Sequence, residues 1–178
     1  MARRVAELVA GAAGADACFV HFLDSDANEL VLMGATPESF DELGGTIRLR
    51  VGEGIAGWVA KHTEPVIVEN KWEDPRYVYI PALRGEDFSS LVSVPMLRPG
   101  GVVVGVLNTH SHHPNHFSSE HADRLFEVAT LLAGIVENSV LMDRLARREE
   151  ELAEFAANTI ELQENDRRRV AADIHDGI

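Results

Sequence analysis

The residue with the clearest potential for chemistry is a histidine near the end of the chain, His175. It lies in the segment N-D-R-R-R-V-A-A-D-I-H-D-G-I, which occupies positions 165–178. In a helix, Ala171 and Ala172 come one turn before His175, and Arg168 comes two turns before it on the same face. Because the alanine side chains are small, the imidazole is sterically open. A neutral imidazole is a nucleophile, so the segment is suited to covalent catalysis.

The segment resembles the phosphoacceptor box of nitrate-sensor-type bacterial histidine kinases, in which arginines and small residues precede the phosphorylated histidine. The resemblance implies that His175 accepts a phosphoryl group from ATP, bound with Mg²⁺, and passes it to an aspartate of a response regulator. It also implies that Asp176 accepts or orients the ring proton, which makes the other ring nitrogen a better nucleophile. A neighbouring apolar stripe could pack into a dimer seam and consists of Leu162, Val170, Ile174 and Ile178.

No phosphate-binding loop accompanies the histidine in this sequence. The glycines Gly52, Gly54 and Gly57 lack the Lys-Ser/Thr pair of a P-loop and the spacing of a dinucleotide fingerprint. We expect them to form a tight turn from a strand into a helix. Only three residues follow His175, and an ATP-binding domain does not fit in them. We therefore expect the full-length protein to be a histidine kinase and this fragment to be inactive alone.

The charge and the apolar content argue against several classes of partner. The 178 residues include 29 acidic and 16 basic residues, for a formal net charge of -13. Nucleic acids and anionic membranes bind basic patches, so we expect neither as a partner. No run approaches the ~18 apolar residues of a membrane span, and the N-terminus lacks the apolar core of a secretory signal. We expect a cytoplasmic protein whose partners are other proteins and an unknown small molecule.

The spacing of the apolar residues predicts an α+β domain. Two pairs of strands are joined by turn sequences, D-S-D-A-N and R-P-G-G, which favour hairpins. This pattern indicates an antiparallel sheet covered on one face by helices. The single cysteine, Cys18, falls in an apolar strand and is expected to be buried. Helices are predicted at positions 3–13, 55–62 and from 118 onward, and strands at 17–24, 29–36, 46–51, 65–69, 89–97 and 102–111.

Four short sequences in this region resemble those of GAF domains. They are G-E-G-I-A-G-W-V-A at 52–60, D-P-R-Y at 74–77, L-V-S-V-P-M at 91–96 and G-V-L-N at 105–108. The resemblance implies a GAF-like antiparallel sheet flanked by helices. GAF domains are sensory modules that bind ligands such as cyclic nucleotides, haem, tetrapyrroles or amino acids, and some serve only in dimerisation. The resemblance therefore leaves the identity of a ligand open.

We divide the chain into three parts on these patterns. Residues 1–144 form a GAF sensory domain, residues 145–164 a coiled-coil signalling helix, and residues 165–178 the start of the kinase dimerisation and phosphoacceptor domain. A long C-terminal helix of this kind needs a partner, so we expect a parallel homodimer. The predicted heptad seam mixes apolar and polar residues and runs through Leu145, Arg148, Leu152, Phe155, Thr159, Leu162 and Asp166.

The segment between the fourth and fifth predicted strands, positions 70–87, is the candidate cover of a ligand pocket. Long loops over a sheet are uncommon unless they are functional, and this one is rich in aromatic residues. Arg84 could meet an anion, and polar residues on adjacent strands could supply hydrogen bonds. The alternative is that the aromatic rings pack against the core and only hold the loop in place. The candidate ligand-binding residues are His21, Trp72, Tyr77, Tyr79, Arg84, Ser90 and Ser93.

The histidines of this domain do not form a convincing metal or haem site. Haem-binding GAF sensors use a histidine before the fifth strand, and positions 79–90 contain none, which argues against haem. A closed zinc site needs thiol or carboxylate partners, which the histidine-rich segment lacks. We expect that segment to be a polar loop without a physiological metal. Its weak candidate ligands are His110, His112, His113 and His116.

Two interpretations follow from these observations. The first is the sensory and dimerisation fragment of a two-component histidine kinase. The second is a non-enzymatic GAF module for ligand binding or dimerisation, with a haem or metal redox sensor as one form of it. The continuation of the gene beyond position 178 separates them, because an ATP-binding domain there supports the kinase.

Overall fold

A computed structural model describes the backbone of residues 2–176. Side chains are described throughout this range except at 41, 136, 137, 139–141, 143, 144, 157, 158 and 160–176. The chain forms two compact units, Met1–Ile135 and Val136–Ile178. The sheet and the ligand-binding candidates belong to the first unit.

The first unit is built on a six-stranded antiparallel sheet. The strands are β1 (Ala17–Asp24), β2 (Glu29–Thr36), β3 (Arg48–Arg50), β4 (Val66–Val68), β5 (Ser90–Arg98) and β6 (Val102–Ser111). Their order in the sheet is β3-β2-β1-β6-β5-β4.

Both predicted hairpins, β1 with β2 and β5 with β6, are confirmed. The second hairpin turns through two glycines with positive φ, Gly100 (92°) and Gly101 (77°), a conformation that residues with side chains rarely adopt.

The three predicted helices are also found in the structure. They are α1 (Ala2–Ala13), α2 (Gly54–His62) and α3 (Ser119–Asp176). Gly14 follows α1 directly, and its left-handed φ of 60° is typical of the residue that ends a helix. Three short 3₁₀ helices, at Glu38–Leu43, Pro81–Leu83 and Gly85–Asp87, add detail that the apolar spacing does not predict.

Helices cover both faces of the sheet. On one face, α1 and the first part of α3 enclose a core that includes Cys18 and Leu107. On the other face, α2 buries Ile55 and Val59 against Leu91. The expectation of helices on one face only is therefore wrong. The central strands carry apolar residues on both faces, and each face has to be covered.

The second unit consists of the rest of α3. Its helical backbone extends through His175 to Asp176, while the side chains from position 160 onward lie outside the described residues. Within the described part of the proposed heptad seam, Leu145, Leu152 and Phe155 are exposed. Dimerisation through this helix stays a prediction. Among the described residues, no helix is both long enough and apolar enough to cross a bilayer.

Gly105 fixes the distance between the two central strands, and we predict that it tolerates no side chain. A Cβ added there would collide with the backbone carbonyl oxygen of His21 and with the Met96 methyl group. The strand backbone cannot move as a side chain can, so Gly105→Ala is expected to lower the free energy of unfolding by about 1–3 kcal/mol.

The matched control is Gly11→Ala, since an added Cβ on Gly11 of α1 meets nothing within 4 Å. That change should raise the free energy of unfolding by about 0.5–1 kcal/mol, because alanine has the higher helix propensity. Urea unfolding of both variants measures the difference. A Gly105→Ala protein as stable as the Gly11→Ala protein would contradict the packing argument.

Candidate functional site

A small cavity lies between the sheet and the segment that joins β4 to β5, residues 69–89, which we call the lid. Its volume is about 70 Å³. A cavity of about 150 Å³ is known to hold benzene, and pockets for drug-sized ligands have about 300–1,000 Å³. In this conformation the cavity therefore accommodates only a few atoms. It is lined by Phe19, His21, Leu49, Gly54, Ile55, Ala56, Lys71, Tyr77, Val78, Ile80, Leu83, Gly85, Phe88, Leu91, Asn108 and His110.

The floor of the cavity carries three side chains with buried polar atoms, all from the two central strands. His21 comes from β1, and Asn108 and His110 come from β6. Among the described residues, neither ring nitrogen of either histidine has a hydrogen-bond partner, and neither has the side-chain oxygen of Asn108. Buried polar atoms are almost always paired in folded proteins. Five such atoms therefore lie on one cavity floor, where they are available to a polar ligand or to water.

Both floor histidines are neutral at physiological pH. Burial lowers the pKa of His21 to about 4. Burial also lowers the pKa of His110 to about 3, with smaller contributions from the charge of Lys71 and from His21. The imidazole of His110 packs between Phe19 and Phe88, at centroid distances of 4.9 and 5.4 Å. A neutral imidazole offers one donor and one acceptor, so each ring can bind either kind of polar atom.

The wall of the cavity carries a buried lysine, Lys71, with a relative exposure of 1%. Its ammonium group donates a hydrogen bond to the carbonyl oxygen of Gly85, at the other end of the lid. The same group lies 5.4, 5.2 and 5.4 Å from the ring centroids of Trp72, Tyr77 and Phe88. Cation–π contacts of this kind contribute about 0.5–2 kcal/mol each. Lys71 thus links the two ends of the lid.

Burial lowers the pKa of Lys71 to about 8, and the nearby carboxylates of Glu86 and Asp87 oppose this shift. The side chain is therefore mostly a cation at neutral pH. The sequence-based candidates do not include Lys71, because a lysine is usually exposed. One signal was available: the chain has two lysines, and this one stands directly beside Trp72 in the aromatic loop.

The D-P-R-Y sequence attaches the lid to α2. The Asp74 carboxylate accepts hydrogen bonds from the backbone and side chain of Arg76, at distances between 2.6 and 2.9 Å. These bonds hold the pKa of Asp74 below its usual value. The Arg76 guanidinium in turn lies 4.9 Å from the ring centroid of Trp58 on α2. The pair places Tyr77, the next residue, against the cavity.

The structure brings two of the seven predicted ligand-binding residues to the cavity, His21 and Tyr77. Trp72 is half-exposed and packs edge-on against Tyr77 at 5.3 Å. The Tyr79 hydroxyl donates to Glu86 at 2.8 Å, outside the cavity lining. Arg84, the predicted anion partner, is exposed and pairs with Asp87 at 2.7 Å. The cation that faces the cavity is Lys71.

The two predicted serines of β5 lie on opposite faces of the sheet. Ser93 shares a face with Leu91, which lines the cavity, because side chains alternate along a strand. The Ser93 hydroxyl is buried without a partner among the described residues, yet it lies outside the cavity lining. Ser90 faces the other way, and its hydroxyl donates to the carbonyl oxygen of His113 at 2.6 Å.

The candidate metal ligands at the end of β6 point to separate partners. His110 lies on the cavity floor, while the Nδ1 of His112 donates to the carbonyl oxygen of Asp87 at 2.5 Å. The Nε2 of His116 donates to the carbonyl oxygen of Gly14 at 3.1 Å. Within the described part of the chain, no group of three or more histidine, cysteine or acidic side chains could hold a metal ion. The segment instead ties the lid to the end of α1.

The predicted phosphoacceptor pair, His175 and Asp176, lies at the end of the α3 backbone. Both side chains fall outside the described residues. Their predicted roles therefore stay predictions.

The chain belongs to the GAF domain family, whose sequence pattern it matches over residues 1–137. The Nif-specific regulatory protein of Azospirillum lipoferum is 32% identical over 162 residues, which are 87% of this chain and 24% of that protein. The chain thus spans about a quarter of the length of that relative. Together these matches show that residues 1–137 of the chain form a GAF domain.

Solved structures agree with this assignment. The GAF domain of a phosphoenolpyruvate-protein phosphotransferase from Coxiella burnetii superposes with a TM-score of 0.73 at 26% identity, covering 80% of this chain and 84% of that one. A domain of a putative two-component sensor histidine kinase from Sinorhizobium meliloti superposes with a TM-score of 0.58 at 18% identity, covering 82% and 93%. The second likeness shows the fold alone.

The buried neutral histidines predict a loss of stability in acid. In the unfolded chain a histidine has a pKa of about 6.5, so it gains a proton as the pH falls, whereas folded His110 stays neutral down to about pH 3. Its contribution is complete above pH 6.5 and is lost as the pH falls. Relative to His110→Leu, the wild type should lose about 3 kcal/mol of unfolding free energy between pH 7 and pH 4.

Urea unfolding at both pH values measures this difference, with His113→Leu as the control. His113 has an exposed side chain, so its replacement removes a histidine from the surface and not from the cavity floor. The same pH dependence in the His110→Leu protein and the wild type would show that His110 is not a buried neutral group.

Proposed function

We propose that this chain is the sensory and dimerisation fragment of a two-component histidine kinase. The observation that carries the proposal is the sequence at positions 165–178, which resembles a phosphoacceptor box and follows the helix α3 that begins in the GAF domain. A domain of a putative sensor histidine kinase with the same fold is compatible with it. The GAF cavity receives an unknown small molecule, and the full-length protein acts in the cytoplasm as a homodimer.

In the proposed reaction, a ring nitrogen of His175 attacks the γ-phosphorus of ATP bound with Mg²⁺ by a separate domain. A nitrogen–phosphorus bond forms, and the bond between the γ-phosphorus and the bridging oxygen of ADP breaks. Asp176 orients the ring by accepting its other proton, which raises the electron density on the attacking nitrogen. The phosphoryl group then passes to an aspartate of the response regulator.

The contacts around the lid suggest how ligand binding reaches α3. Near the end of the lid, the ring of Phe88 stacks on His112 at 5.2 Å. Asp16, at the junction of α1 and β1, accepts hydrogen bonds from the His112 backbone (2.8 Å) and the Ser111 hydroxyl (3.0 Å). A shift of the lid would therefore move the segment that leads into α3. We propose that ligand state biases two arrangements of α3 that differ in access to His175.

A non-enzymatic GAF module is the second candidate. The sequence similarity to a Nif-specific regulatory protein, which is not named as a kinase, favours it. In this alternative the cavity and the lid keep their sensory role, and His175 is a solvated residue at a helix end. Phosphorylation of His175 distinguishes the two candidates.

The experiment is phosphotransfer in trans. The wild-type fragment and His175→Gln are mixed with labelled ATP and a separately expressed ATP-binding domain from the same gene. We expect acid-labile, base-stable label on the wild type and none on His175→Gln, because the nucleophile is lost. The matched control is His113→Gln, an exposed histidine of the GAF domain that should leave labelling unchanged.

The catalytic domain is first shown to be active on another substrate. Given that activity, an unlabelled wild-type fragment would contradict the kinase proposal and favour the non-enzymatic module. Equal label on His175→Gln and the wild type would place the phosphoacceptor elsewhere.

A further inference from the structure

We infer that the GAF cavity binds a small carboxylate anion and that Lys71 is its counter-ion. The inference deepens the proposed sensory function, on which it rests, by naming the chemical class of the ligand. It depends on the partners of Lys71, on the floor of the cavity and on the cavity volume.

Lys71 is buried but forms no ion pair among the described residues. The carboxylates of Glu86 and Asp87 are near enough for their charges to raise the pKa of Lys71, but neither lies within ion-pair distance of its ammonium group. Glu86 accepts a hydrogen bond from Tyr79, and Asp87 pairs with Arg84. An ammonium group has three donors, and the carbonyl oxygen of Gly85 takes one of them. Buried charges in proteins are normally paired with an opposite charge. An anion in the cavity would supply that pairing.

The floor favours an anion over a cation. His110 and Lys71 both line the cavity, so a ligand there could contact both side chains. The neutral imidazoles of His110 and His21 each have an N–H without a partner, and each can donate to a carboxylate oxygen. A cationic ligand would meet the charge of Lys71, and a neutral ligand would leave that charge unpaired.

The volume restricts the size of the anion. The cavity of about 70 Å³ is about half the size of the cavity of about 150 Å³ that holds benzene, so it has room for about four heavy atoms, the size of acetate. The apolar part of the ligand would contact the side chains of Leu49, Ile55 and Leu91, which complete the lining. Nucleotides and other drug-sized ligands do not fit beneath the lid in this conformation.

The test compares acetate with acetamide, which has nearly the same shape and no charge. Amide chemical shifts of the ¹⁵N-labelled chain are followed while each compound is added to the wild type. We expect acetate to shift the resonances of Lys71, Gly85 and His110 saturably, and acetamide to bind at least about tenfold more weakly, because it lacks the charge-assisted hydrogen bond. Equal affinities would overturn the assignment of an anion.

The chain offers a matched pair of lysines for the second arm. Lys71→Met should weaken acetate binding by about tenfold or more, whereas Lys61→Met, which changes the exposed lysine of α2, should leave it unchanged. Undiminished binding to Lys71→Met would overturn the role of Lys71. If this variant fails to fold, the pH dependence replaces it: acetate affinity for the wild type should fall as the pH rises through about 8 and Lys71 loses its proton.

Nitrate is a planar inorganic anion without a carboxylate group. It therefore tests whether the site requires a carboxylate or binds another small anion instead. Binding of nitrate without acetate would overturn the carboxylate class, and binding of neither compound would overturn the inference as a whole. Phosphotransfer to His175 is measured independently of acetate binding. A fragment that is phosphorylated but binds no acetate would support the kinase proposal and contradict the proposed ligand class. A fragment that binds acetate but is not phosphorylated would support the ligand class and contradict the kinase proposal.

Discussion

The alternation of side chains along the two central strands constrains the rest of the structure. β1 and β6 pair in the middle of the sheet, so both of their faces are buried. On one face Cys18 and Leu107 join the core beneath α1 and α3. On the other face the same alternation places His21 and His110 beneath the lid. The fold thereby buries neutral polar groups where a domain of this size would otherwise have only apolar contacts.

The lid completes this arrangement through one buried cation. Lys71 stands at the start of the lid and donates to Gly85 near its end, while three aromatic rings surround the ammonium group. The two ends of the lid are consequently joined by the hydrogen bond between Lys71 and Gly85. An anion in the cavity could compete with the carbonyl oxygen of Gly85 for the ammonium group. The lid also touches His112 and, through it, Asp16 at the end of α1. A change in the cavity therefore has a short physical route to the elements that frame α3.

Much of the fold could be predicted from the sequence, because hairpin turns and apolar periodicity are local signals. The alternation also contained information that the site prediction did not use: Ser90 and Ser93 are three residues apart, so they cannot both face the cavity. The burial of Lys71 could not be predicted in this way, since it depends on contacts with Gly85 and Phe88, which are distant in sequence. Arg84, which the sequence analysis expected to meet an anion, pairs instead with Asp87, three residues further along the chain. The cation that lines the cavity is Lys71.

The central proposal is that the lid and the proposed phosphoacceptor, His175, are coupled. The most direct measurement is the rate of phosphorylation of His175 in the full-length protein, compared among the wild type, Lys71→Met and Lys61→Met. Allosteric coupling between sites is typically worth 5-fold or more in an equilibrium, so a change of about that size is expected for Lys71→Met alone. Equal rates in all three proteins, with Lys71→Met shown to be folded, would contradict the claim.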